Sequence, residues 1–305
     1  SMRTLAVRTL APHFEHKLFL SATPHNGYSE SFTALLELLD NQRFARGVPP
    51  DRNQLDAVMV RRLKRELPPR WDGSKRFPER ILEPIEVPYT DEERRVHRAL
   101  QQYTKLRLEN ARTHDEEFAA KFVLKLLKKR LFSSPAAFDS TLAKHERSLQ
   151  ETVKRKWRMV KPSRRLLQRQ IDQADEEFAD ETAYEESTAE ALDSASKLFA
   201  ELNLEEQSLL QELRAYANKA SQRADTKAKA LIQWLHGIVT PGGTWSDERV
   251  LIFTEYRDTQ NWLQTLFAAE GFAAKGRLEI LNGGMTSDER ERVKAAFQAH
   301  PADSP

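Results

Sequence analysis

Hydrophobic residues along this chain follow two patterns, short consecutive runs towards both ends and long periodic stripes between them. The runs at 18–20, 250–253 and 278–281 are largely apolar, and turn residues follow each of them. Short apolar runs bounded by turns predict buried parallel strands. A further alternation of apolar and polar residues over 79–87 predicts a strand or an extended strap.

The middle of the chain has the periodicity of helices instead. Thr90 followed by Glu93 has the form of a capping box, which predicts the start of a long helical region. Apolar residues then recur at helical spacing, with breaks, to about residue 224. Inside this region, Ser134 before Pro135 predicts the start of a new helix, because proline suits the first helical turn.

These patterns together predict an α/β protein that is mostly helical, with partial parallel sheets on either side of a large helical insertion. We expect three parts, at 1–88, 89–224 and 225–305. Because the carboxyl ends of strands carry the ligand chemistry of open α/β sheets, the hydroxyl residues Ser21 and Thr23 are candidate functional residues.

Composition narrows the class of protein. The sequence has no cysteine, which excludes disulfides and cysteine-based metal sites and fits a reducing cytoplasm. Its apolar runs are too short for a membrane span, so we expect a cytoplasmic protein without a membrane partner. His25 has no second histidine at ligand spacing, and no metal site is predicted.

The net charge of +2 conceals a strong asymmetry of charge along the chain. Lysine and arginine are concentrated from 121 to 169, and aspartate and glutamate from 172 to 206. The simplest interpretation is two solvated faces. The alternative is that the basic half contacts nucleic acid, while the acidic half masks it within the molecule or binds a protein partner.

Five blocks of residues occur in an order that resembles a known family. They are Ser21-Ala22-Thr23-Pro24, Val60-Arg61-Arg62-Leu63-Lys64, Lys128-Lys129-Arg130 with the residues up to Pro135, 250–254 with Tyr256, and 281–284 with Glu289, Arg290 and Phe297. The first block is similar to motif III of superfamily-two helicases. In this order the blocks resemble Swi/Snf-type ATPases of the prokaryotic, RapA/HepA-like branch.

The resemblance implies two partial RecA-like lobes flanking the helical insertion, and ATP-driven movement along double-stranded DNA with ATP and Mg²⁺ as cofactors. It also implies that the Ser21-Ala22-Thr23 segment couples the ATP site to the nucleic-acid site. The DNA-contacting residues that the resemblance implies lie in or next to the other four blocks. They are Arg61, Arg62, Lys64, Lys128, Lys129, Arg130, Thr254, Arg257, Gly283 and Gly284.

Some of these residues have a second interpretation. A helix built on 59–68 places Arg61, Arg62 and Lys64 close together, where they bind phosphate oxygens or brace the two lobes through carboxylates. Gly283 and Gly284 follow an apolar run, so they serve turn geometry alone or offer backbone N–H groups to phosphate.

Three motifs of such ATPases are missing from the sequence: a phosphate loop, an acidic magnesium motif and an arginine finger. We therefore expect a fragment of a larger bacterial helicase-like ATPase, itself inactive and without a cofactor of its own. Two other interpretations stay open. One is a non-enzymatic helical scaffold that binds a partner through 172–206, and the other is a fragment of an RNA helicase.

Overall fold

The computed structural model describes residues 2–21, 24–25, 29–154, 167, 181–199, 201–301 and 303. The chain divides into two compact units, unit 1 over Ser1–Pro84 and unit 2 over Ile85–Pro305. The three-part division predicted from the sequence stays a prediction. Within the described residues, no helix is both long enough and apolar enough to cross a membrane.

The described part of unit 1 contains three short α-helices, α1 (Met2–Leu10), α2 (Ser29–Leu39) and α3 (Arg52–Val58). Few of the described residues in this unit are buried, and Leu36 and Phe44 are among them. The end of α2 is held by Lys17, whose Nζ donates to the carbonyl oxygen of Leu38 at 3.2 Å. A cation at this position also complements the negative end of the helix dipole.

Unit 2 consists of eight helices within the described residues. They are α4 (Asp91–Glu109), α5 (His114–Ser133), α6 (Pro135–Lys154), α7 (Glu181–Ser196), α8 (Leu204–Ala220), α9 (Thr226–Val239), α10 (Arg257–Ala269) and α11 (Ser287–Gln298). The first five pack against one another as a bundle around one hydrophobic core. A second, smaller core lies between α9 and α10 and contains Ile232, Leu235 and Phe267.

The predicted helix starts are confirmed. Thr90 Oγ1 accepts from the N–H of Glu93, whose carboxylate accepts from the N–H of Thr90 at 2.7 Å. Ser134 Oγ accepts from the N–H of Ala137 at 3.1 Å, and α6 begins at the intervening proline. These caps satisfy backbone donors that the first helical turn leaves without partners.

The core of the bundle contains polar groups that are paired with one another. His145 is fully buried, with Nε2 3.1 Å from Tyr103 Oη and Nδ1 2.8 Å from Ser196 Oγ. Arg107 forms a buried ion pair with Glu206, with 3.2 Å between Nη1 and Oε2. Buried polar groups are tolerated when they are satisfied in this way.

The predicted α/β fold class is wrong. Every regular element in the described residues is a helix, and the runs at 18–20, 250–253 and 278–281 are extended chain without a strand ladder. Leu251 is 63% exposed and Phe253 is 89% exposed. An apolar run forms a strand only when a neighbouring strand takes its backbone hydrogen bonds, and the described residues provide none here.

Another prediction in unit 1 is also wrong. The run over 59–68 is not a helix, because only a single 3₁₀ turn at Lys64–Glu66 forms within extended chain. Pro68 and Pro69 follow after Leu67, and residues before proline are disfavoured in helical conformation. The extended chain over 79–87 matches a strap and not a strand.

Candidate nucleic-acid interface

One face of α5 is covered with lysine. Between 121 and 129, the exposed positions of the helix are Lys121, Lys125, Lys128 and Lys129, which we call the lysine face. Their spacing of four, three and one residues places them on one side of a helix. The other side buries Val123, Leu124 and Leu127 in the bundle core, so the hydrophobic pattern fixes the outward direction of the lysines.

The four lysines differ in their partners. Lys121 Nζ lies 2.6 Å from Glu117 Oε1, one helical turn away, and Lys129 Nζ lies 3.6 Å from Glu255 Oε1. Among the described residues, Lys125 and Lys128 have no carboxylate at ion-pair distance. The centre of the lysine face therefore presents two cations that form no ion pair with the described part of the chain.

Arg130 faces the other way, into the protein. Its side chain is buried, and its guanidinium carbon lies 3.7 Å from the ring centroid of Tyr256, which is buried as well. A cation over an aromatic face is attracted to the ring, and more strongly where water is excluded. The structure thus separates Arg130 from Lys128 and Lys129, with which the sequence analysis grouped it.

The carboxyl end of α5 is joined to α9 and α10 by polar contacts. Thr259 Oγ1 lies 2.7 Å from both Ser133 Oγ and Ser134 Oγ. Lys227 Nζ donates to the carbonyl oxygens of Phe132 and Ser133, both at 2.5 Å, and burial lowers the pKa of this lysine. We refer to Arg130, Ser133, Ser134, Tyr256 and Thr259 as the α5–α10 junction.

This junction brings together two groups of residues that the sequence analysis predicted separately. Thr254 Oγ1 accepts from the N–H of Tyr256 at 3.5 Å, and the N–H of Arg257 donates to Glu185 Oε1 of α7 at 3.0 Å. Both Thr254 and Arg257 are half-buried beside the block that starts at Lys128. Two of the predicted DNA-contacting blocks are therefore neighbours in space.

A small cavity of about 50 Å³ lies next to the junction, between α5, α6, α7 and α10. Arg130 and Lys144 line the cavity together with Glu185 and Asp258, so the two positive charges of its lining are matched by two negative charges. Thr188 Oγ1 is buried and lacks a hydrogen-bond partner among the described residues. An electroneutral polar cavity of this size suits a few ordered water molecules.

The acidic segment enters the bundle. Residues 172–180 lie outside the described residues, while α7 packs against α5 and α6. Its Asp193 accepts from Ser148 Oγ at 2.7 Å and pairs with Lys197. Some acidic side chains of 172–206 are thus paired with other groups of the bundle. The predicted protein-partner site in that segment stays a prediction.

The turn that contains Gly283 and Gly284 lies beside α10. The N–H of Gly284 donates to Asn282 Oδ1 at 3.0 Å, and the carbonyl oxygen of Gly283 accepts from Arg290 at 2.6 Å. Gln260 of α10 donates to the carbonyl oxygen of Leu281 at 3.2 Å, which places this turn beside that helix. Local hydrogen bonds therefore fix the turn geometry that the sequence predicted for these glycines.

Unit 1 contains the remaining predicted site residues. Arg61, Arg62 and Lys64 are exposed, and Lys64 Nζ lies 5.3 Å from the ring centroid of Phe77. Ser21 is exposed at the end of an extended run. Ala22 and Thr23, the rest of the predicted coupling motif, lie outside the described residues.

Two exposed basic residues on the neighbouring helix α4 were not among the site residues predicted from the sequence. Arg94 and Arg98 are exposed there at a spacing of four residues. They flank His97, whose ring centroid lies 5.1 Å from that of Phe132 at the end of α5. Their helical spacing was the available signal, but the packing of α4 against α5 is a long-range feature that no local pattern shows.

Among the described residues, no group of three or more histidine, cysteine, aspartate or glutamate side chains is arranged to hold a metal ion. The fold and the site define a helical protein with a lysine-covered helix face. Comparison of the chain with family models, with curated proteins and with solved structures finds no match.

Proposed function

We propose that this chain binds double-stranded DNA through the phosphate backbone, with the lysine face of α5 as the principal contact. The observation that carries the proposal is the four exposed lysines on one face of α5, two of them without a carboxylate partner in the described residues. They extend about 12 Å along the helix, far enough to reach several phosphates of a duplex. Arg94 and Arg98 of α4, a helix that packs against α5, are exposed cations as well.

We further propose that this binding serves an ATP-dependent translocase of Swi/Snf type, acting in a reducing cytoplasm. This part of the proposal depends on the order of the five residue blocks, since the described residues contain no sheet. ATP and Mg²⁺ are cofactors of the translocase as a whole. The residues of this chain supply DNA contacts, and Ser21, Ala22 and Thr23 supply the coupling segment.

The test is equilibrium binding to a short fluorescent duplex, measured by anisotropy from about 50 to 200 mM salt. The variant Lys125→Glu/Lys128→Glu reverses the charge of the two lysines without an ion-pair partner among the described residues, and both are exposed, so the fold is retained. We expect binding at least about tenfold weaker, and a salt dependence of log K that is shallower by roughly two. Arg130 is left unchanged because it is buried.

The matched control is Lys275→Glu/Lys294→Glu, which makes the same change in net charge at two exposed lysines away from α5. If both variants weaken binding equally, the contact is non-specific attraction by the whole molecule and the proposal is wrong. Binding of duplex RNA in preference to duplex DNA favours the RNA-helicase interpretation instead. Absence of binding to any nucleic acid leaves the helical scaffold as the better interpretation.

A further inference from the structure

Glu255 gives Lys129 a carboxylate partner, which Lys125 and Lys128 of the same face do not have among the described residues. Its Oε1 lies 3.6 Å from Lys129 Nζ, and the two side chains are 56% and 52% exposed, respectively. The two residues are 126 positions apart in sequence, so the contact depends on the tertiary fold. A phosphate group approaching Lys129 meets a carboxylate that is already there.

The backbone around Glu255 is held firmly against α5. The next residue, Tyr256, lies under the guanidinium of Arg130, and Thr259 contacts the hydroxyls of Ser133 and Ser134. These contacts are buried, whereas the Glu255 side chain is exposed. The α5–α10 junction therefore presents this carboxylate to the lysine face at a fixed position.

We propose that Glu255 is an intramolecular competitor for DNA, which occupies Lys129 until a duplex phosphate displaces it. The inference rests on the proposed function, since it concerns regulation of the same lysine face. Displacement exchanges one exposed ion pair for another, so the expected effect is small and strongest at low salt. Thr259 has the role of a positioning residue, because it holds the segment that carries the carboxylate.

The test is a double-mutant cycle between Glu255→Gln and Lys129→Gln, measured by the same binding assay. We expect Glu255→Gln to bind duplex DNA roughly twofold to fivefold more tightly at low salt. In the Lys129→Gln background the same change is expected to have no effect, because the competition no longer exists. An equal gain in both backgrounds means that Glu255 acts only as a nearby negative charge, and the proposal is wrong.

A control for charge is Glu248→Gln, which removes an exposed carboxylate away from α5 and is expected to leave affinity unchanged. A control for position is Thr259→Val, which keeps the shape of the side chain but loses its contacts with the two serines. We expect it also to tighten binding, and only when Lys129 is present. Unchanged affinity in this variant, with circular dichroism showing a folded protein, overturns the positioning role of Thr259.

The two proposals fail in different ways. If the unmodified chain does not bind duplex DNA, the proposed function is wrong and the inference falls with it. If it binds through Lys125 and Lys128 but Glu255→Gln is without effect, only the competition is wrong. Charge reversal of the lysine face and neutralisation of Glu255 therefore test separate statements.

Discussion

His145 shows how a single buried side chain sets a limit on acid stability. Its ring touches the hydroxyls of Tyr103 and Ser196 and lies 5.2 Å, between centroids, from the ring of Phe199. Burial, followed by the nearby charge of Arg107, lowers the pKa of His145 to about 3. In the folded bundle the imidazole is therefore neutral down to about pH 3.

The direction of the pH effect follows from this difference in pKa. Above pH 6.5, the ordinary value, the ring is neutral in both the folded and the unfolded chain. Between 6.5 and about 3 only the unfolded chain takes up the proton, so the free energy of unfolding falls by up to about 1.4 kcal/mol per pH unit. Urea denaturation followed by circular dichroism over a series of pH values measures this slope.

The matched variant is His145→Gln, which keeps a donor and an acceptor for Tyr103 and Ser196 but does not titrate. We expect this variant to have a shallower loss of stability with acid than the parent chain. Parallel curves for the two proteins mean that other groups are responsible for the acid sensitivity.

At the scale of elements, hydrogen bonds at the start of α4 link this helix to α9. The carboxylate of Glu93 accepts from Thr90 within its own capping box and from both the N–H and the hydroxyl of Thr226, at 3.0 and 2.6 Å. Burial raises the pKa of Glu93, but these hydrogen bonds outweigh burial and lower it. Its contribution to stability is thus present above its unfolded pKa and is lost as the pH falls.

Replacing Glu93 with alanine removes the carboxylate half of the α4 capping box and the link to α9 together. We expect Glu93→Ala to lower the free energy of unfolding by about 2–3 kcal/mol. Among the described residues, the neighbouring Glu92 pairs with exposed Lys219 and Arg223, so Glu92→Ala is expected to cost less than about 1 kcal/mol. Equal losses in urea denaturation of the two variants contradict the linking role of Glu93.

Helices of unit 2 were predictable because their signals are local. The Thr90 cap, the Ser134-Pro135 start and the apolar stripe through Val96, Leu100 and Tyr103 all lie within a few turns of sequence. A strand depends on a partner elsewhere in the chain, so the apolar run at 250–253 indicated burial without ensuring it.

The candidate site was predictable only in part, for the same reason. The charges of Lys128 and Lys129 could be read from the sequence, but their exposure and the burial of Arg130 follow from the packing of α5 in the bundle. The contact between Lys129 and Glu255 depends on long-range packing, which no local pattern encodes. Sequence reasoning therefore found cations but not their competitor.

At the scale of the whole molecule, unit 2 has two hydrophobic cores with a polar junction between them. The bundle core is formed by α4 to α8, and the smaller core by α9, α10 and the residues that follow, including Phe272. The junction between them contains hydroxyl pairs, an arginine over a tyrosine ring and a small polar cavity. DNA bound at the lysine face would thus act on a boundary between two separately packed parts.

The chain as a whole is expected not to hydrolyse ATP. Phosphoryl transfer requires a phosphate cradle, a magnesium site and a cation that stabilises the transferred group, and the sequence motifs for these are missing. Release of inorganic phosphate, measured with and without duplex DNA, is expected to equal that of a buffer blank. ATP turnover that persists after purification to homogeneity means that the expectation of an inactive chain is wrong.

The exposed run at 251–253 has a consequence for how the protein behaves in concentrated solution. Leu251 and Phe253 expose apolar side chains on extended backbone, next to residues of high β-propensity. Such segments associate with their counterparts on other molecules, and salting-out ions strengthen the attraction. We therefore expect salt to have opposite effects on this protein, because it would weaken the proposed contact with DNA while promoting self-association. Measuring DNA binding with dilute protein separates the two effects.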